Sequence, residues 1–209
     1  MAASVVTATK PRKQPVQARS RVTVDAIFEA TLQLLLTDGP RRLTTTRVAA
    51  RAGVSVGTMY QYFPNKQALI YALNARYLES LADRIETVCR EMEGQGAEAM
   101  VAALIDCYWR AKTERADVTR ALYRSVAELD NSALIEAFAN RVDKATEAML
   151  ATAPDLGGND SRGLALTLLT VIFGTVRNTF ERGLSPDDAA RLQEELRVMC
   201  QAYLRARTG

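Results

Sequence analysis

The sequence predicts an all-α protein of about nine helices, a three-helix head followed by a larger helical body. Two observations predict it. Apolar residues recur at helical spacing through most of the chain, with no strand-like alternation and no repeat of fixed period. Glycine, proline and asparagine interrupt that pattern at intervals that suit helices. With 209 residues and 48% hydrophobic composition, the chain can build a core without covalent staples.

The elements follow in order. Residues 1–20 hold Lys10, Arg12, Lys13 and Arg19 with few large apolar side chains, and read as a disordered basic arm. Such an arm can touch phosphates or a minor groove, or remain a solvated tail. Val24, Ile27, Phe28, Thr31 and Leu35 share a face of the first helix, which Asp38-Gly39-Pro40 ends. Leu43-Thr44-Thr45-Thr46 offers an N-cap for a short second helix, Arg47–Ala52, which Gly53 closes in the left-handed region. Ser55 caps a third helix, about Val56–Phe63. Pro64-Asn65 breaks the chain again, and Asn65 caps a long fourth helix, about Lys66–Met92. Beyond Gly94-Gln95-Gly96 the pattern gives helices near 97–114, 117–129, 132–152, 161–182 and 186–206. The expected domains are the arm, 1–20, the head, 21–66, and the body, 67–209.

Composition narrows the function. The chain has no histidine, which removes Ser-His and Cys-His catalysis and the commonest metal ligand. Cys89, Cys107 and Cys200 are odd in number and widely spaced, so buried free thiols are expected rather than disulfides or zinc. There is no Gly-rich phosphate cradle, nucleophile elbow or metal-spaced carboxylate cluster. The expectation is a non-enzyme with no cofactor and no metal. Met1–Thr9 is too short for a secretory signal. The longest apolar run, Gly163–Val176, has 14 residues, short of the ~20 that span a bilayer, so a cytoplasmic protein away from the membrane is expected.

Charge is unevenly distributed. Residues 1–66 carry ten Lys/Arg against three Asp/Glu, and residues 67–209 carry seventeen against twenty-one. A basic head on an acidic body suits a polyanionic partner, although solvated surface charge gives the same totals. Two short helices joined at Gly53 fit a helix-turn-helix. Val48, Ala49, Ala52, Val54, Met59 and Phe63 can pack the pair against Ile27, Phe28 and Leu35. Ser55, Val56, Gly57, Thr58, Gln61 and Tyr62 are then left largely outward. In that plan the third helix enters the major groove of double-stranded DNA. Gly57 allows close backbone approach, Val56 can meet a thymine methyl, and Gln61 can pair with adenine. Tyr60 and Tyr62 can reach phosphates, as can amides near Thr45 and Asn65, helped by Lys66. Small residues and tyrosines on a short helix also suit a helix–helix contact.

The segment LTTTRVAARAGVSVGTMYQYFPNKQALIYAL, Leu43–Leu73, resembles the DNA-binding segment of the TetR family of transcriptional regulators. The likeness is dense over Val24–Leu73; the rest matches only in length and helicity. It implies that Thr45 and Thr46 contact phosphate. Ser55, Val56, Gly57, Thr58 and Gln61 would face the groove, and Tyr60, Tyr62 and Lys66 would grip the backbone. It also implies a homodimer through the last two helices. Leu164, Leu168, Val171, Ile172, Thr175 and Phe180 there, with Leu192, Leu196, Met199, Cys200 and Tyr203, form apolar faces that equally suit the monomer's core.

Family members commonly hold a small-molecule effector among their central helices. Candidate lining residues are Tyr108, Trp109, Tyr123, Phe138 and Phe173, with Met149 beside them and Arg177 and Asn178 as polar orienters. Ordinary core packing accounts for each aromatic equally well. The resulting expectation is a dimeric repressor, released from a near-palindromic operator when a mostly apolar effector moves the fourth helix near Gly94–Gly96. The alternatives are an activator, or a repressor controlled by a protein partner.

Overall fold

The computed structural model describes residues 18–126, 129–158 and 160–208, and regular structure among them is helical throughout. α1 (Ala18–Arg42) breaks at Gly39, whose φ of 74° and ψ of 172° lie far from helical values, and Pro40 follows directly. α2 (Thr45–Ala52) begins on Thr44, whose Oγ1 accepts the Arg47 amide at 3.3 Å. It ends on Gly53 at φ 68°, ψ 27°. There the Gly53 amide donates to the Ala50 carbonyl at 3.3 Å and the Val54 amide to the Ala49 carbonyl at 3.0 Å. This paired closure needs the left-handed residue that the sequence supplies. Gly53→Ala is therefore expected to lower the stability of the head by about 1–2 kcal/mol, read as a lower thermal midpoint. An unchanged midpoint would mean that the turn relaxes at no cost.

α3 (Val56–Tyr62) starts on Ser55, whose Oγ accepts the Thr58 amide at 3.0 Å. α4 (Lys66–Glu91) starts with Asn65 Oδ1 accepting the Ala68 amide at 2.8 Å. Five helices follow: α5 (Ala97–Thr113), α6 (Ala116–Ser125), α7 (Ser132–Leu150), α8 (Ser161–Glu181) and α9 (Pro186–Thr208). The basic arm expected at 1–20 lies almost wholly outside the described residues.

The chain forms two compact units. The first holds the described residues up to Tyr77 together with Asp117–Ser132; the second holds Leu78–Ala116 and the described residues from Ala133 onward. The contiguous head expected at 21–66 is thus one part of the first unit. α6 joins it because Val118, Ala121 and Leu122 are buried in the same apolar cluster as Ile27, Phe28, Val48, Ala49, Met59, Phe63 and Leu69. Ala52 and Val54 pack partly buried against that cluster. Arg76 braces it, pairing with Asp25 while its guanidinium lies 5.4 Å from the Phe28 ring centroid.

The second unit is held by a core and by arginine forks. Ile85, Met100, Leu104, Ile105, Met149, Leu168 and Ile172 are essentially fully buried. Arg141 on α7 donates to both carboxylate oxygens of Glu86 at 2.7 and 2.8 Å and to Asp83 at 2.7 Å, both on α4. That fork holds the Glu86 carboxyl below the usual carboxylate range. On α9, Arg197 pairs with Asp106 at 2.6 Å and Arg205 with Glu98 at 2.7 Å, tying α9 to α5. The Gly94–Gly96 bend, expected to move freely, is tied down. Gly94 N–H donates to Thr152 Oγ1 at 2.8 Å, and Asp155 accepts the Ala97 amide at 2.9 Å, capping α5 from the α7–α8 loop. All three cysteines are free and buried, as anticipated, and burial pushes the Cys89 thiol up to about 11.

The apolar residues expected at a dimer face divide. Leu164, Leu168, Ile172, Phe180, Leu196 and Cys200 are buried within the chain itself. The outward side of α8 and α9 instead presents Leu166, Val198 and Met199, at 58%, 52% and 60% exposure. α8 is long and apolar enough to cross a membrane by length and composition, more than the fourteen-residue run suggested. Its buried side packs into the second unit's core.

Candidate nucleic-acid interface and effector region

α3 is seven residues long, and Met59 is its buried side chain. One inward anchor on so short a helix turns the remaining positions outward. Ser55, Val56, Gly57, Tyr60 and Gln61 are all exposed, Val56 and Tyr60 at 44%. Thr58 is half-buried, and its hydroxyl meets Ser55 Oγ at 2.8 Å. Thr45, at the start of α2, lies with its Oγ1 3.5 Å from the Tyr60 hydroxyl, which brings the beginning of α2 beside the outer side of α3. Thr46 is exposed and meets Thr44 Oγ1 at 3.0 Å.

Gly57 is the most informative position. Its backbone is not left-handed, and a Cβ built there would meet only Ser55 Oγ, at an ordinary 3.7 Å. The fold itself therefore has no need of glycine at this point. A residue that costs a helix about 1 kcal/mol, with nothing inside the chain to require it, leaves the outer surface as its reason.

Two predicted contacts take other roles. Tyr62 is half-buried, its hydroxyl 2.9 Å from Ser20 Oγ on α1. Lys66 turns its ammonium to the Pro40 carbonyl at 2.6 Å, serving an acceptor that the break in α1 leaves without a helical donor. The sequence suggested neither partner, since Ser20 and Pro40 lie far from them in the chain. Arg47 is also committed within the head, donating to the Arg42 carbonyl at 2.8 Å and to Asp38.

In the body, the structure gathers three of the predicted effector residues. Tyr108 and Phe173 have ring centroids 4.2 Å apart, and Phe138 lies 5.7 Å from Phe173. Trp109 is buried beside them in sequence on α5. Tyr123 belongs to the other unit and is half-buried there. Arg177 and Asn178 are exposed on α8, and Arg177 Nε donates to Glu181 one turn on, at 2.6 Å. The polar group that does lie with the aromatics is Lys112, which sequence reasoning missed. It is only 3% exposed, and its ammonium lies 5.5 Å from the Tyr108 ring centroid. Burial pushes its pKa down to about 7. The signal was present: Lys112 stands four residues after Tyr108, on the apolar side of α5.

The comparisons with known proteins agree with this architecture. Residues 27–73 match the family profile described as "Bacterial regulatory proteins, tetR family", and residues 98–204 match "Tetracyclin repressor-like, C-terminal domain". The HTH-type transcriptional repressor KstR of Rhodococcus jostii is 31% identical over 127 residues, covering 61% of this chain and 57% of that protein. The chain thus spans somewhat over half the length of that curated relative. A putative TetR-family regulator from Mesorhizobium loti superposes with a TM-score of 0.73 at 18% identity, covering 91% of this chain and 98% of its own. FadR of Bacillus subtilis, solved in complex with stearoyl-CoA, gives a TM-score of 0.65 at 20% identity, covering 84% and 96%. With its head and most of its body matched in turn, the chain belongs to the TetR family of bacterial transcriptional regulators.

Proposed function

We propose that the protein is a cytoplasmic homodimeric repressor that reads a near-palindromic operator through α3 and leaves it when the body binds a mostly apolar small molecule. The observation that carries this reading is Gly57, an exposed glycine that the fold does not require, at the centre of an outward face that includes Val56 and Gln61. Val56 meets a thymine methyl and Gln61 an adenine edge, while Thr45, Thr46, Ser55, Thr58 and Tyr60 hold phosphates. Tyr62 and Lys66 brace the head through Ser20 and Pro40 and reach the backbone with what hydrogen-bonding capacity remains.

One such helix reads too few base pairs to be selective, so two copies are needed about 34–36 Å apart. The exposed Leu166, Val198 and Met199 on α8 and α9 supply the apolar surface for pairing, with exposed Gly174 permitting close approach. Effector binding around Tyr108, Phe138 and Phe173 alters the body, and α4 and α6 transmit the change, since α4 runs through both units and α6 belongs to the head's unit. A coupling of ~1–3 kcal/mol is typical of such release. That FadR holds stearoyl-CoA supports an effector with a large apolar part.

Gly57→Ala tests the central claim with two opposed readouts. Thermal stability should rise by about 0.5–1 kcal/mol, because alanine favours the helix. Operator binding should fall about tenfold, on the scale of one good base contact. Stability and DNA affinity rising together, or affinity unchanged, would remove the argument for α3 as the reading helix.

A further inference from the structure

The body buries a lysine where an apolar effector is expected. Lys112 leaves α5 with 3% exposure, and its ammonium sits over the face of Tyr108. Tyr108 packs on Phe173 from α8, and Phe173 in turn on Phe138 from α7. Three helices thus direct rings toward one charged group. Desolvation is what weakens its charged form, bringing its pKa near neutrality. Simple packing would be served better by leucine or methionine, because a buried ammonium carries a desolvation cost that a hydrocarbon side chain does not. A ring face offsets part of that cost. An anion would offset more, since charge attraction strengthens as water is excluded.

We propose that Lys112 anchors the acidic group of the effector, so that the body responds to an organic anion whose apolar part lies against Tyr108, Phe173 and Phe138. This rests on the effector-binding reading above and gives that effector a class. An acid gains an ionic contact at Lys112 Nζ; the matching amide or hydrocarbon gains only the ring contacts. Specificity for the acid is then set on α5, while Arg177, exposed and paired with Glu181, is not required for it.

The test compares two fluorescent probes on the full-length protein. One is 1-anilinonaphthalene-8-sulfonate; the other is N-phenyl-1-naphthylamine, the same aromatic frame without the sulfonate. The sulfonate should bind more tightly to the wild type. Lys112→Met should weaken it roughly tenfold or more and leave the neutral amine unchanged. Displacement of the bound sulfonate by 1-naphthoate but not by 1-naphthamide, on the wild type, gives the same answer should the variant fail to fold. The proposal is overturned by equal weakening of both probes in Lys112→Met, by equal displacement by acid and amide, or by no binding of the sulfonate. Operator binding is measured in parallel on the same wild-type sample. Its absence, with anion selectivity intact, would defeat the repressor reading and leave the anion site standing.

Discussion

Replacing Met59 with alanine is expected to destabilise the head by about 2–5 kcal/mol and to abolish operator binding at temperatures where the body is still folded. The reason lies in how α3 is held. A seven-residue helix has no stability of its own in water, so tertiary anchoring must supply it. Met59 is 0% exposed and is the buried side chain of that helix, packed in the cluster that includes Ile27, Phe28, Val48 and Phe63. Truncation opens a cavity at the point of attachment while leaving every outward side chain intact. The measurement is a thermal melt followed alongside DNA binding. A midpoint shift equivalent to less than about 1 kcal/mol would show that Phe63 and the caps hold α3 without Met59.

Gln61→Ala should act in the opposite manner, sparing the fold and damaging selectivity. Gln61 is exposed, so its loss creates no cavity. If it pairs with an adenine edge, preference for the operator over shuffled DNA should fall by ~1–3 kcal/mol. The slope of log affinity against log salt should not change, because glutamine neutralises no phosphate. Titrations at several salt concentrations separate the two quantities. A preserved preference, or a slope reduced by about one, would mean that Gln61 contacts something other than a base.

Local chemistry in this protein was legible from sequence, and long-range chemistry was not. Gly53, Ser55 and Asn65 each act within four residues of themselves, and each terminates or starts its helix as the sequence implied. The inward set of the head, Val48, Ala49, Met59 and Phe63, followed from helical periodicity for the same reason. Lys66 and Tyr62 have short-range patterns that point to phosphate, yet their partners, Pro40 and Ser20, are brought to them only by folding. Asp155 caps α5 across a large sequence gap while Gly96, at the cap position, supplies no side chain. Lys112 was missed because a lone cation in a helix reads as surface unless its position on the apolar side is weighed against its charge. Leu164 and Leu168 were assigned to both possible faces of α8 because periodicity marks an apolar side without naming what covers it.

The assignment of α6 to the head's compact unit has a consequence for building hybrid regulators. Val118, Ala121 and Leu122 complete the apolar cluster around α1, α2 and α4. A chimera that joins the first 66 residues of this chain to another protein's body would inherit a foreign α6 against that cluster. Its DNA preference would be carried over, but its core would be mismatched along one side. Transplants should succeed when residues 117–132 travel with the head as a second inserted segment. In lineages where reading heads are exchanged between bodies, the same seam would favour exchanges that keep the two segments together.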